Sequence, residues 1–141
     1  MKKMFYLLLI ILCLVCIYFF SSKNGNESNQ SSRRVIRNVV SLIEKITHKD
    51  LDEKRIVKTW NYPVRKIAHF TIFFILGVFM YLFISTFDIP HRMIISIVLC
   101  LICAILDESH QIFSPGRTPL LLDILIDLSG SIVGIFLGTK I

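Results

Sequence analysis

Ionisable residues are scarce in this 141-residue chain, where 54% of residues are apolar and 18% charged, yet several of them fall in short clusters inside apolar segments. Arg65, Lys66 and His69 form one such group, Asp107, Glu108, His110 and Gln111 a second, and Asp123 and Asp127 a third. Each ionisable group inside a membrane costs several kcal/mol unless paired or hydrated, so a cluster of them marks a functional site by default. The side chains present suit three kinds of chemistry. Carboxylates opposite Arg65, Lys66 and Arg117 can form a structural salt-bridge network that fixes helix register. Arginine forks can read an anionic headgroup or phosphate. His69 or Asp107 can accept a proton, alone or beside a metal, while the cations stabilise developing negative charge. The candidate catalytic residues are thus His69, Asp107, Glu108 and Asp123. The candidate binding residues are Ser21, Ser22, Arg65, Lys66, Gln111, Arg117 and Asp127.

Other chemistries lack their signatures. The chain has no nucleophile elbow, no glycine-rich phosphate loop and no H-E-x-x-H pair. Ser21 and Ser22 are the hydroxyls best placed for attack, although serine at a helix end commonly caps or turns the chain. The cysteines, Cys13, Cys16, Cys100 and Cys103, make two C-x-x-C pairs, but both lie within apolar runs, where a thiol packs as a small hydrophobe. No metal ligand set and no cofactor is assigned. A net charge of +6 comes without a base-reading basic helix, so lipid headgroups are the expected partners and nucleic acid is not.

Four apolar runs must position these residues: Met4 to Phe20, Val64 to Phe87, Met93 to Phe113 and Leu120 to Gly138. Each is long enough, or nearly so, to cross a hydrocarbon core of about 30 Å as a helix. The first follows Lys2 and Lys3 and has no small-residue cleavage site after it, which predicts an uncleaved span. Between the first two runs lies a polar segment, residues 21–63. Its first part, 21–34, is rich in turn formers and reads as a loop. Beyond it Val35, Ile36, Val39, Val40, Ile43 and Ile46 recur at helical spacing opposite Arg33, Arg37, Ser41, Glu44 and Lys45, which predicts a short amphipathic helix that either lies in the headgroup layer or packs as a lid on the bundle. Residues 49–59 have the composition of a further helical piece, and Trp60 and Tyr62 mark the membrane interface, with Pro63 in the first turn of the second span. The fold class is therefore all-α, a polytopic membrane bundle of about four transmembrane helices with an amphipathic helix in the first loop.

Alternating spans decide which ends share a side. The end of the first span, the start of the second, the end of the third and the start of the fourth converge, and with them every cluster named above. By helical rise, His69 and Asp107 lie at similar depth and can meet. Asp107, His110, Gln111 and Ser114 share a stripe, while Glu108 is rotated by about 100°. Asp123 and Asp127 continue the face of Gly130, Gly134 and Gly138, a G-x-x-x-G-x-x-x-G pattern that permits close helix approach and turns the aspartates inward.

These residues carry a resemblance. Phe20-Ser21-Ser22, Arg65-Lys66-x-Ala68-His69-Phe70, Asp107-Glu108-x-x-Gln111-x-Phe113-x-Pro115-Gly116-Arg117 and Asp123-x-x-x-Asp127-x-x-Gly130 together resemble the VanZ-like family of membrane proteins, as one domain over residues 1–141. That family often has asparagine where this chain has Asp127. The resemblance implies a bacterial cell-envelope role of the kind that lowers susceptibility to teicoplanin-type glycopeptides, and it supplies no mechanism, so enzymatic activity is left open. The rival reading is a non-enzymatic scaffold or immunity-like protein whose salt bridges are structural. Orientation draws two opposed rules. Lys2 and Lys3 favour a cytoplasmic N terminus and an extracytoplasmic site. Of the 16 lysines and arginines, however, all but Lys2, Lys3, Arg92 and Lys140 fall on the site side, against the positive-inside tendency. Engagement of those cations by acidic side chains or lipid favours the first arrangement, in a multi-pass protein of the cell membrane.

Overall fold

A computed structural model describes residues 1–116 and 120–141, and every element it contains among them is a helix. In chain order these are α1 (Lys2–Ser22), α2 (Gly25–Thr47), α3 (Glu53–Ile84), α4 (Arg92–Gln111) and α5 (Leu121–Gly138). Four of them, α1, α3, α4 and α5, are long and apolar enough to cross a membrane. The shortest, α5, has 18 residues and rises about 27 Å at about 1.5 Å per residue, close to the hydrocarbon thickness.

The bundle is built with its apolar side chains outward. Leu8, Leu12 and Phe19 on α1, Ile94, Val98 and Ile102 on α4, and Leu125, Val133 and Phe136 on α5 are all exposed, whereas Asp107, Glu108, Gln111, Asp127 and Ser131 are buried. Lipid is the solvent that such a surface fits, because it removes the cost of exposing apolar groups while leaving polar groups to find partners inside. The apolar core runs through Ile10, Cys13, Ile17, Phe73, Leu76, Met80, Cys100, Ala104 and Ile135. All four cysteines are free thiols, and Cys13 and Cys100 pack in this core, as small hydrophobes would.

Helices α3 and α5 make the tightest pair. A Cβ added at Gly130, Gly134 or Gly77 would stand 2.4, 2.0 or 2.3 Å from the carbonyl oxygens of Phe70, Phe74 and Ser131 respectively. Only glycine admits this backbone-on-backbone approach. The seam fixes α5 against α3 in register and so sets where Asp123 and Asp127 sit relative to Lys66 and His69.

The polar segment is more ordered than its composition predicts. Residues 25–34 are not loop but the first turns of α2, which opens with a reciprocal capping box: Asn24 Oδ1 accepts from the Glu27 backbone N–H at 2.8 Å, and the Asn24 N–H donates to Glu27 Oε2 at 3.3 Å. Buried Gly25, Ser28, Ser32, Ile36 and Val40 form one stripe, so the small polar residues continue the same face as the apolar ones. Ser31 and Ser32 return their hydroxyl protons to the carbonyls of Glu27 and Ser28, which removes their demand for water. The start of α3 also departs from expectation. It begins at Glu53 and runs through Pro63, which lies inside the helix and not in its first turn. Asp52 caps it by accepting from the Arg55 N–H. Ile36 and Val40 pack on Val57, so α2 lies on the extended N-terminal part of α3, as a lid would, while Val35, Val39, Leu42, Ile43 and Ile46 remain exposed.

Candidate functional site

The ends expected to converge do so. At one end of the bundle Lys3 Nζ lies 4.3 Å from the centre of the Phe87 ring, bringing the chain start to the α3–α4 turn. At the other, Ser114 Oγ donates to the Ser21 carbonyl at 3.0 Å, and the Gly25 N–H donates to the Pro115 carbonyl at 2.9 Å, tying α1, α2 and the end of α4 together.

Within this end, His69 of α3 meets one aspartate from each of two other helices. Its Nδ1 is 3.6 Å from Asp127 Oδ1 and 3.9 Å from Asp107 Oδ2. The two carboxylate side chains are 1% and 2% exposed and the imidazole 16%. Asp107 is held by Gln111, whose Nε2 donates to Oδ2 at 2.8 Å across one helical turn. Asp127 has no such support, and among the described residues neither of its buried carboxylate oxygens has a hydrogen-bond partner. One donor atom from each of the three residues lies within 4.8 Å of the others.

One turn earlier on α5 the arrangement is different. Asp123 and Lys66 are joined in a direct ion pair, both largely buried, that neutralises itself. Glu108, rotated away from Asp107 as its spacing predicts, is buried too and has a local task. Its Oε1 accepts the Leu120 N–H at 2.7 Å, placing a carboxylate at the N terminus of α5, where the helix dipole favours it. Its Oε2 has no hydrogen-bond partner among the described residues.

The expected binding residues divide. Arg65 lies 5.8 Å from the Tyr62 ring centre and lines a groove. Ser21 is fully buried with its Oγ unpartnered among the described residues. Ser22 Oγ donates to the Tyr18 carbonyl at 2.7 Å and lies 3.0 Å from His110 Nε2. Arg117 lies outside the described residues.

The groove holds about 250 Å³ and lies between α1, α2 and α3. Ile17, Val35, Val64, Ala68 and Ile72 give it apolar walls, and Lys23, Arg65 and His69 are also among the residues that line it. Lys23 was not foreseen. It directly follows the Ser21-Ser22 pair, and it became visible only once α2 turned back over α1, where its Nζ donates to Ser31 at 3.4 Å. Helical spacing turns His69, Asp107 and Asp127 inward, but it does not single the three out as one donor set, since its members come from three helices.

A family model described as VanZ/LLP1 matches residues 5–140. The chain belongs to the VanZ/LLP1 family. The match covers all five helices of the bundle almost end to end, so the site described above lies wholly within the VanZ/LLP1 domain. No curated protein and no solved structure matches the chain.

Proposed function

We propose that this VanZ/LLP1 membrane protein binds an acyl-bearing, anionic envelope molecule, with the acyl chain in the groove between α1, α2 and α3 and the anionic group against Lys23 and Arg65. The groove carries this reading, because it joins apolar walls, two cations and His69 in a single concavity. Apolar walls with few polar groups are the usual make-up of a pocket for an amphiphile, and an arginine fork is suited to phosphate or carboxylate.

His69 is where binding passes to chemistry. It touches the groove on one side and the buried aspartates on the other, so a group held in the groove reaches the acid/base centre through this ring. The site faces the outer surface, where engagement of a lipid-linked precursor alters the access of teicoplanin-type lipoglycopeptides. Reporter fusions at Lys49 and Asp88 test that orientation, with external activity expected at Lys49 and contradicted by external activity at Asp88.

The binding reading is tested by native mass spectrometry of the detergent-purified protein. The wild type is expected to carry an anionic lipid that Ala68→Trp excludes by filling the groove, and equal lipid retention by both proteins would refute the assignment. Incubation with cell-envelope lipids, followed by mass analysis of the products, separates binder from enzyme. A product formed by the wild type and absent with His69→Gln or Asp107→Asn shows turnover. In cells, Asp107→Asn and Arg65→Ala are expected to abolish any loss of teicoplanin susceptibility while the protein stays inserted and abundant.

A further inference from the structure

Two carboxylates and one imidazole at the inner end of the groove make an incomplete electrostatic set. Asp107 is satisfied in part by Gln111, but Asp127 is fully buried and, among the described residues, neither of its oxygens has a hydrogen bond. The His69 ring nitrogen at 3.6 Å is too far to supply one. A buried carboxylate without a partner is strongly disfavoured, and here two of them share one imidazole. Lys66, the cation one turn away, is already bound to Asp123. Arg65 is drawn toward Tyr62.

The geometry points to a divalent transition-metal ion bound by His69 Nδ1, Asp107 and Asp127. The three donors come from α3, α4 and α5 and already lie within 4.8 Å of one another. Separations of 3.6 and 3.9 Å from the imidazole nitrogen to the two carboxylates need to close by only a few tenths of an ångström for ligands about 2.0–2.2 Å from a tetrahedral ion. Imidazole with carboxylates suits zinc and its neighbours better than magnesium or calcium, whose shells are all oxygen. A charge of +2 offsets both carboxylates, which a single imidazolium does not. Gln111 completes the pattern as a positioning residue, because its hydrogen bond orients the Asp107 carboxylate from outside the donor set. Three protein donors leave a coordination position open, as in catalytic zinc sites. His69 is the one donor that also lines the groove.

The inference does not depend on what occupies the groove. The test uses zinc alone, with the full chain in detergent, stripped with a chelator and equilibrated by dialysis. The wild type is expected to take up about one zinc ion per chain. His69→Gln and Asp127→Asn should lose that ion, and Gln111→Leu should weaken binding by about tenfold, as removal of an outer-shell partner does. Retention of zinc at wild-type level by both ligand variants, or no uptake by the wild type, overturns the site. Should those variants fail to fold, cobalt absorption of the wild type decides without them. A spectrum of nitrogen and oxygen ligation is expected, and thiolate charge transfer would assign the ion to the cysteines instead. Zinc uptake is read with no lipid added, so failure of the lipid reading and failure of the metal site are told apart.

Discussion

Asp123 and Asp127 sit one turn apart on the same face of α5, and they are treated in opposite ways. Asp123 is locked to Lys66, an ion pair complete in itself and adequate as a structural tie between α3 and α5. Asp127 is the more deeply buried, and the nearest base, His69, is shared with Asp107. A helix-register device explains the first and does not explain the second, because burying an uncompensated carboxylate costs stability without adding a specific contact. A structural tie accounts for the outer layer of the polar cluster, and the proposed function rests on the inner one.

The sharpest way to break this contrast is Lys66→Met. It leaves Asp123 buried and unpaired, and unfolding in detergent should show a loss of about 4 kcal/mol, whereas the double change Lys66→Met with Asp123→Leu should recover most of it. Failure of the double variant to recover would give that pair a role beyond register. Next in size is Gly134→Ala. The new methyl would meet the Phe74 carbonyl at 2.0 Å, so α3 and α5 must separate, at about 3 kcal/mol by the same measurement. A wild-type midpoint would mean that the glycine seam does not hold the two aspartates in place.

Asp127→Asn should act in the reverse direction in metal-free protein. The neutral amide removes one buried charge and can donate toward Asp107 or His69, so a gain of about 1 kcal/mol is expected, and a loss of several would show that Asp127 is compensated in the resting protein. The smallest effect is at the opposite end of the bundle. Asp88 is fully exposed while pairing with Arg92 at 3.3 Å, and Asp88→Ala should leave the unfolding midpoint unchanged.

Much of this was legible in the sequence because run length, alternation of direction and helical spacing carried it. Long apolar runs located the four spans, alternation of direction gathered their polar ends, and the glycines at every fourth residue turned Asp123 and Asp127 toward a neighbouring helix. Equal depth brought His69 to Asp107. What stayed hidden depended on pairings across helices. Nothing in the spacing of Lys66 and Arg65 says which of them takes Asp123, and the resulting split between Asp123, held by Lys66, and Asp127, which shares His69 with Asp107, exists only in three dimensions. Residues 25–34 misled for a local reason: serine and asparagine favour turns, but here the Asn24 and Glu27 capping box and the buried Gly25, Ser28, Ser32 stripe made a helix of them. That helix supplies the third wall of the groove, so the groove was illegible along with it.

Photo-crosslinking with an anionic lipid that carries a diazirine on its acyl chain tests the central claim most directly, followed by peptide mapping of the labelled protein. Labels are expected on the groove walls, Ile17, Val35, Val64, Ala68 and Ile72, and fewer of them there in Ala68→Trp. Labels spread over the exposed outer faces of α4 and α5, at residues such as Ile94, Val98 and Phe136, with none in the groove, would contradict it.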